Sequence, residues 1–211
     1  MISARSVPAT TWALQGLYVV AEVVVGLRAS ADYSFVDHTI SDLGATTCRT
    51  LDGATVCSPW HAVMNAAFVG FGVSLALGAW MLRRVRPAGP LATASLVLWI
   101  VAGASSVGVG LTPVDLYPGL HGAVAVWVFV AQPLALVLLG LSLRDPHPGL
   151  GWGTLAVGVG SAVGSLGFLL LLHADSGGGA FERLALWPGY VWVSVIAWAA
   201  RGRRTAPEPS V

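Results

Sequence analysis

Asp115 and His121, close together in GLTPVDLYPGLH, and Glu22, set in an apolar run, are the residues of this chain best able to exchange protons. A carboxylic acid and an imidazole serve as general acid and base once their surroundings tune them. Two reaction classes follow. A metal-assisted hydrolase needs nitrogen and oxygen donors, and His38, His61, His121 and Asp115 are those on hand. No H-E-x-x-H or comparable spacing organises them, so no metal site is assigned and no cofactor is required. An acid-initiated terpene cyclase needs a protonated carboxylic acid, Glu22 or Asp115, facing a cavity lined by Trp99, Trp127, Phe129 and Trp192. A serine hydrolase has no G-x-S-x-G behind it.

Other polar residues stand where they can share a surface. His61 and Asn65 lie four residues apart, on one face of a helix. His121 and Gln132 lie eleven apart, three helical turns, and also share a face. Together the four can line a polar cleft, though Gln132 beside Pro133 also suits an interhelical hydrogen bond. Glu22 needs a partner, Arg183 or a histidine, unless it is protonated or reaches the interface.

The elements that must position these residues follow from composition. The chain has 211 residues, 55% hydrophobic and only 10% charged, with a mean hydropathy of +0.75. Soluble domains carry about 25% charged residues, so lipid is the expected solvent. A net charge of +1 and the lack of a basic stripe exclude a nucleic-acid partner. Six apolar runs approach the ~20 residues that span hydrocarbon: Thr11–Leu27, His61–Leu82, Leu91–Leu111, His121–Leu143, Gly151–Leu172 and Leu184–Ala200. The expected fold is all-α, an integral membrane bundle of six transmembrane helices spanning 11–200, with tails at 1–10 and 201–211. The first run, with no small-residue cleavage site, reads as a retained helix and not a signal peptide.

Arginine sets the orientation. Arg5, Arg83, Arg84, Arg86, Arg144, Arg201, Arg203 and Arg204 fall on one side, and Arg28, Arg49 and Arg183 on the other. Eight against three places both termini in the cytoplasm and makes this a multi-pass protein of the inner (plasma) membrane. Most acidic residues and histidines then face outward, among them Asp52, His173 and Asp175. An ordinary hydrated rim accounts for that equally well.

The long outer loop, 28–60, has two parts. Tyr33, Val36, Ile40 and Leu43 recur at roughly helical spacing, which predicts a short amphipathic helix on the membrane surface ending at Gly44. Cys48 and Cys57 flank a turn at Asp52-Gly53. Outside the cell they are expected as a disulfide and not as two metal thiolates. The stretches beginning at His61 and His121 also echo each other, each running to an arginine, as in a two-helix unit repeated in parallel. On the fifth run Gly153, Gly160, Gly164 and Gly167, with Ser161 and Ser165, form a small-residue packing ridge.

SDLG (Ser41–Gly44), Asn65, GLTPVD (Gly110–Asp115) followed by His121, and ERL (Glu182–Leu184) resemble the prokaryotic six-helix membrane proteins grouped as domain of unknown function 998. The resemblance covers about Trp12 to Ala200 and implies the same fold and topology. It marks Ser41, Asp42, Asn65, Asp115, His121, Glu182 and Arg183 as its matching positions, and it brings no activity.

The leading expectation is an outward-facing polar cleft that binds a membrane lipid or isoprenoid-like amphiphile. Its ligand-contacting residues are Ser41, Asp42, His61, Asn65, Gln132, Glu182 and Arg183. The alternative is an intramembrane enzyme of lipid or isoprenoid chemistry, one of the two classes above, working through Asp115, His121 and Glu22. A transporter ranks below both, since ionisable residues are missing from the cytoplasmic halves of the spans. A homo-oligomer or a partner membrane subunit is compatible with either leading reading.

Overall fold

In hydrocarbon the backbone finds no water, so each apolar run closes its hydrogen bonds within itself as a helix. The computed structural model describes residues 11–51, 53–83, 88–171 and 177–202. Its helices are α1 (Leu17–Gly26), α2 (His61–Leu82), α3 (Pro90–Leu111), α4 (Pro118–Leu143), α5 (Pro148–Leu170) and α6 (Gly178–Gly202). Proline opens α3, α4 and α5, where its missing N–H costs the helix nothing. The expected spans are recovered to within a few residues for α2 to α5, and these four are long and apolar enough to cross a membrane. The chain is thus of the multi-pass membrane type.

The outer two helices differ from expectation. The first apolar run is helical from Thr11 but breaks into a turn at Leu14–Gly16 before α1 begins. Ser194 of α6 bridges the break, accepting from the Gly16 amide at 2.7 Å and donating to the Trp12 carbonyl at 3.1 Å. Trp12 is buried against Trp99. The last helix starts at Gly178, earlier than Leu184, because Glu182 and Arg183 find partners inside the bundle and do not interrupt it.

Each helix packs chiefly on its neighbours in sequence, and contacts of α6 with α1 and α4 close the bundle. Hydroxyl groups tie neighbours together: Ser95 donates to the Ala135 carbonyl, Ser106 to Phe68 and Ser105 to Val124. Small residues let backbones touch. On α5, Gly164 and Gly167 lie against Ala185 and Phe181 of α6, while Gly160 faces open space. The expected ridge is a packing surface for α6 over part of its length.

The described residues of the 28–60 loop form no amphipathic α-helix. Its only helix among the described residues is a single 3-10 turn at Ser41–Gly44, reached through successive turns. The apolar spacing there serves insertion into the bundle: Ile40 and Leu43 are fully buried, and Val36 is exposed. A hairpin follows, β1 (Arg49–Leu51) paired antiparallel with β2 (Ala54–Val56), Arg49 opposite Val56. The Cys48–Cys57 disulfide closes it. Gly53, in the left-handed region at φ 81°, makes its turn as expected; Asp52 lies outside the described residues. So do tail 1–10, His173, Asp175, Arg84, Arg86, Arg203 and Arg204.

Candidate functional site

The segment 33–47 is bolted across one end of the bundle, and the bolts are the polar residues of interest. α6 supplies the first. Its N-terminal amides have no partners within the helix: Gly179 donates to the Asp37 carbonyl, Ala180 to Val36, and the Gly177 amide to the Asp37 carboxylate. Hydrogen bonds from the Ser34 hydroxyl and this amide hold the Asp37 carboxyl below the ordinary carboxylate range.

Arg183 is the second. Its guanidinium donates to the carbonyls of Phe35, His38 and Gly179 at 2.6, 3.0 and 2.9 Å and to the Tyr33 hydroxyl at 2.5 Å. Its Nε stands 2.9 Å from Glu22 Oε1, with side-chain exposures of 7% and 0%. Trp187 donates to the other Glu22 oxygen at 2.6 Å. Glu22 is therefore buried and paired with Arg183. Its two oxygens face Arg183 and Trp187, not the cavity beneath Ser41. Beside it Glu182, also buried, accepts from the Ile40 amide at 2.5 Å.

α2, α3 and α4 supply the rest. Asn65 donates to the Gly44 carbonyl at 2.8 Å. Asp42 accepts from the amide and hydroxyl of Thr39 and pairs with Arg49 from the hairpin. Asp115, after α3, accepts from the amides and hydroxyls of Thr46 and Thr47 at 2.7 to 3.0 Å. Partial burial pushes its carboxyl up, but these bonds outweigh it and hold it at about 2 against an ordinary 3.8. Asp115 is thus ionised and cannot supply the cyclase acid. Its folded value is depressed, so its stabilising effect is present above pH 4 and is lost as pH falls toward 2. Amide exchange at Thr46 and Thr47, corrected for intrinsic rates, should stay slow at pH 5 and rise near pH 2. In Asp115→Ala it should be fast at both. Equal protection at both pH values in the wild type would refute the anchor.

Ser41 and His121 meet directly. Thr112, just beyond α3, presents its carbonyl to His121 Nδ1 at 2.7 Å, and the Ser41 hydroxyl lies 2.9 Å from Nε2. A carbonyl only accepts, so Nδ1 carries the proton and Nε2 accepts from Ser41. Below Ser41 lies a cavity of about 20 Å³, lined by Glu182, Tyr18, Tyr190, Phe68 and Phe129 among others. It has room for roughly one water.

The structure separates several residues that the sequence grouped. Gln132 donates to the Ala185 and Leu186 carbonyls and takes the interhelical role. His61 hydrogen-bonds the Ser58 carbonyl through Nδ1, and His38 accepts from the Ser34 amide. With His121 and Asp115 also occupied, the conditional metal ligands stay apart, and no group of three His, Cys, Asp or Glu gathers among the described residues. Trp99, Trp127 and Trp192 do not line the cavity, and only Phe129 of the proposed aromatic set does. Sequence reasoning missed Tyr33, Thr46 and Thr47, whose partners lie far along the chain, and Thr112, whose carbonyl meets His121 only nine residues on. Trp187 was within reach, one helical turn beyond Arg183.

A second space of about 420 Å³ opens on the outside of the α3–α4 seam, lined by Val101, Ala104, Ser105, Val124 and Trp127. A family model described as protein of unknown function (DUF998) matches residues 13–199. No curated protein and no solved structure matches the chain.

Proposed function

We propose, from the premise that this chain belongs to the DUF998 family of proteins of unknown function, that it binds one membrane lipid or isoprenoid-like amphiphile at the end of the bundle closed by segment 33–47. The observation that carries this reading is the cavity beneath Ser41. Polar Ser41 and Glu182 meet apolar Phe68, Val109 and Phe129 there, a pairing that suits a molecule with a polar head and an apolar tail. The α3–α4 groove lies on helices apolar enough to face lipid chains. At about 20 Å³ the closed cavity holds no lipid head group, so binding requires segment 33–47 to lift.

The excess of arginine at the opposite end supports an extracytoplasmic location for this site, and so does the disulfide, which persists in oxidising compartments.

The test is lipid retained by protein purified in mild detergent, measured by native mass spectrometry. Wild type should carry about one lipid per chain. Ala125→Leu, which fills the cavity from α4, should carry none while eluting as a folded species. Wild type free of lipid, or equal lipid in both proteins, sinks the reading.

A further inference from the structure

We propose that Ser41 and His121 form a nucleophile–base pair that removes an acyl group from an ester of the bound amphiphile. This deepens the binding reading and rests on it. A serine becomes a nucleophile when a neutral base takes its proton and a third group fixes the base. All three parts are present: the Ser41 hydroxyl 2.9 Å from Nε2, and the Thr112 carbonyl 2.7 Å from Nδ1. The carbonyl fixes the tautomer, so the lone pair of Nε2 points at the hydroxyl.

Placement favours the same chemistry. Ser41 is half-buried and lines the cavity, while His121 is only 6% exposed and shielded from bulk water. Both sit where the helices end, His121 in the first turn of α4 and Thr112 one residue beyond α3. The ends of spanning helices fall near the interfacial region that flanks the hydrocarbon core, the depth at which the ester groups of a lipid would meet this pair. The other loop hydroxyls of Ser34, Thr39, Thr46 and Thr47 donate to carboxylates, whereas that of Ser41 meets an imidazole.

The step balances without any further reagent. Ser41 Oγ bonds to the ester carbonyl carbon as its proton passes to Nε2. The carbon–oxygen bond to the leaving alcohol breaks, and that alcohol takes the proton from Nε2. The acyl-Ser41 ester is then attacked by water or by an acceptor hydroxyl, whose proton goes to Nε2 and on to the departing Oγ. The products are the alcohol and a carboxylic acid, or a new ester.

The test is covalent labelling of the intact purified protein by an alkyl fluorophosphonate and by the smaller phenylmethylsulfonyl fluoride, with the site mapped by peptide mass spectrometry. The expected result is one adduct per chain on Ser41, forming at least about a hundredfold more slowly in His121→Gln, the contribution of a general base. No adduct with either reagent, an adduct on another residue, or an undiminished rate in His121→Gln overturns the proposal. Mapping in the wild type decides the matter even where the variant does not fold. The retained-lipid measurement does not depend on labelling, so failure of the nucleophile and failure of the binding site read separately.

Discussion

Arg183→Met is expected to lower stability by about 3–5 kcal/mol, the cost of stranding one half of a buried ion pair. Among the described residues Glu22 has no other cation: its oxygens face Arg183 and Trp187, and it is fully buried. The same substitution strips the Phe35 and His38 carbonyls and the Tyr33 hydroxyl of their donor, so segment 33–47 should come loose as well. Arg183→Lys should recover little, because a point charge cannot serve several acceptors arranged for a planar fork. Adding Glu22→Gln to Arg183→Met should recover much of the loss, since the uncompensated charge is then gone. Unfolding in mixed micelles, followed by circular dichroism, gives all four values. A loss below about 1 kcal/mol in Arg183→Met, the range of an exposed ion pair, would show that the pair is solvated.

Gly72→Val is expected to separate α2 from α3 and cost at least the 1–3 kcal/mol, roughly, of ordinary overpacking. A Cβ on Gly72 falls 2.6 Å from the Gly103 carbonyl oxygen and 2.9 Å from the Val107 amide, both backbone, so no rotamer change relieves it. Gly103 faces Gly72 in the same way across the seam. Gly70, on the same helix with nothing within 4 Å, is the control. Gly70→Ala should be neutral or stabilising by up to about 1 kcal/mol through helix propensity. Equal effects at the two positions would contradict the close approach.

These two sites mark what hydropathy can and cannot reveal. Apolar runs located α2 to α5 to within about three residues, because a span in lipid must be helical and its length is set by the bilayer. Where polar residues enter a helix the rule fails: Glu182 and Arg183 read as a boundary, yet α6 carries both, since their partners arrive from the loop. The amphipathic spacing of Tyr33, Val36, Ile40 and Leu43 misled for a related reason. It encodes which side chains insert, and a chain of turns can insert Ile40 and Leu43 as well as a helix can.

The short motifs name residues that meet in space, in an arrangement other than the expected open cleft. Ser41, Asn65, Asp115, His121, Glu182 and Arg183 do converge, but most are consumed in holding 33–47 shut and do not line an open cleft. Ser41 to His121 spans 80 residues and Ile40 to Glu182 spans 142. No local period reports on pairs so remote. Only Thr112 and Asp115, inside the same GLTPVD as each other, hinted that this turn serves two partners at once.

The pairing of Glu22 with Arg183 and Trp187 also orders biosynthesis. Glu22 leaves the ribosome with the first apolar run, and Trp187 follows 165 residues later. At ordinary elongation rates that interval is on the order of ten seconds. Throughout it the nascent chain holds an acid in or beside the bilayer without its Arg183 partner, and 33–47 has no helix to cap. Both deficits end together when the final helix inserts. Docking of the loop thus reports that the chain has been made to its last helix, and a chain truncated before Arg183 exposes an undocked loop and an unpaired acid for quality-control proteases to recognise.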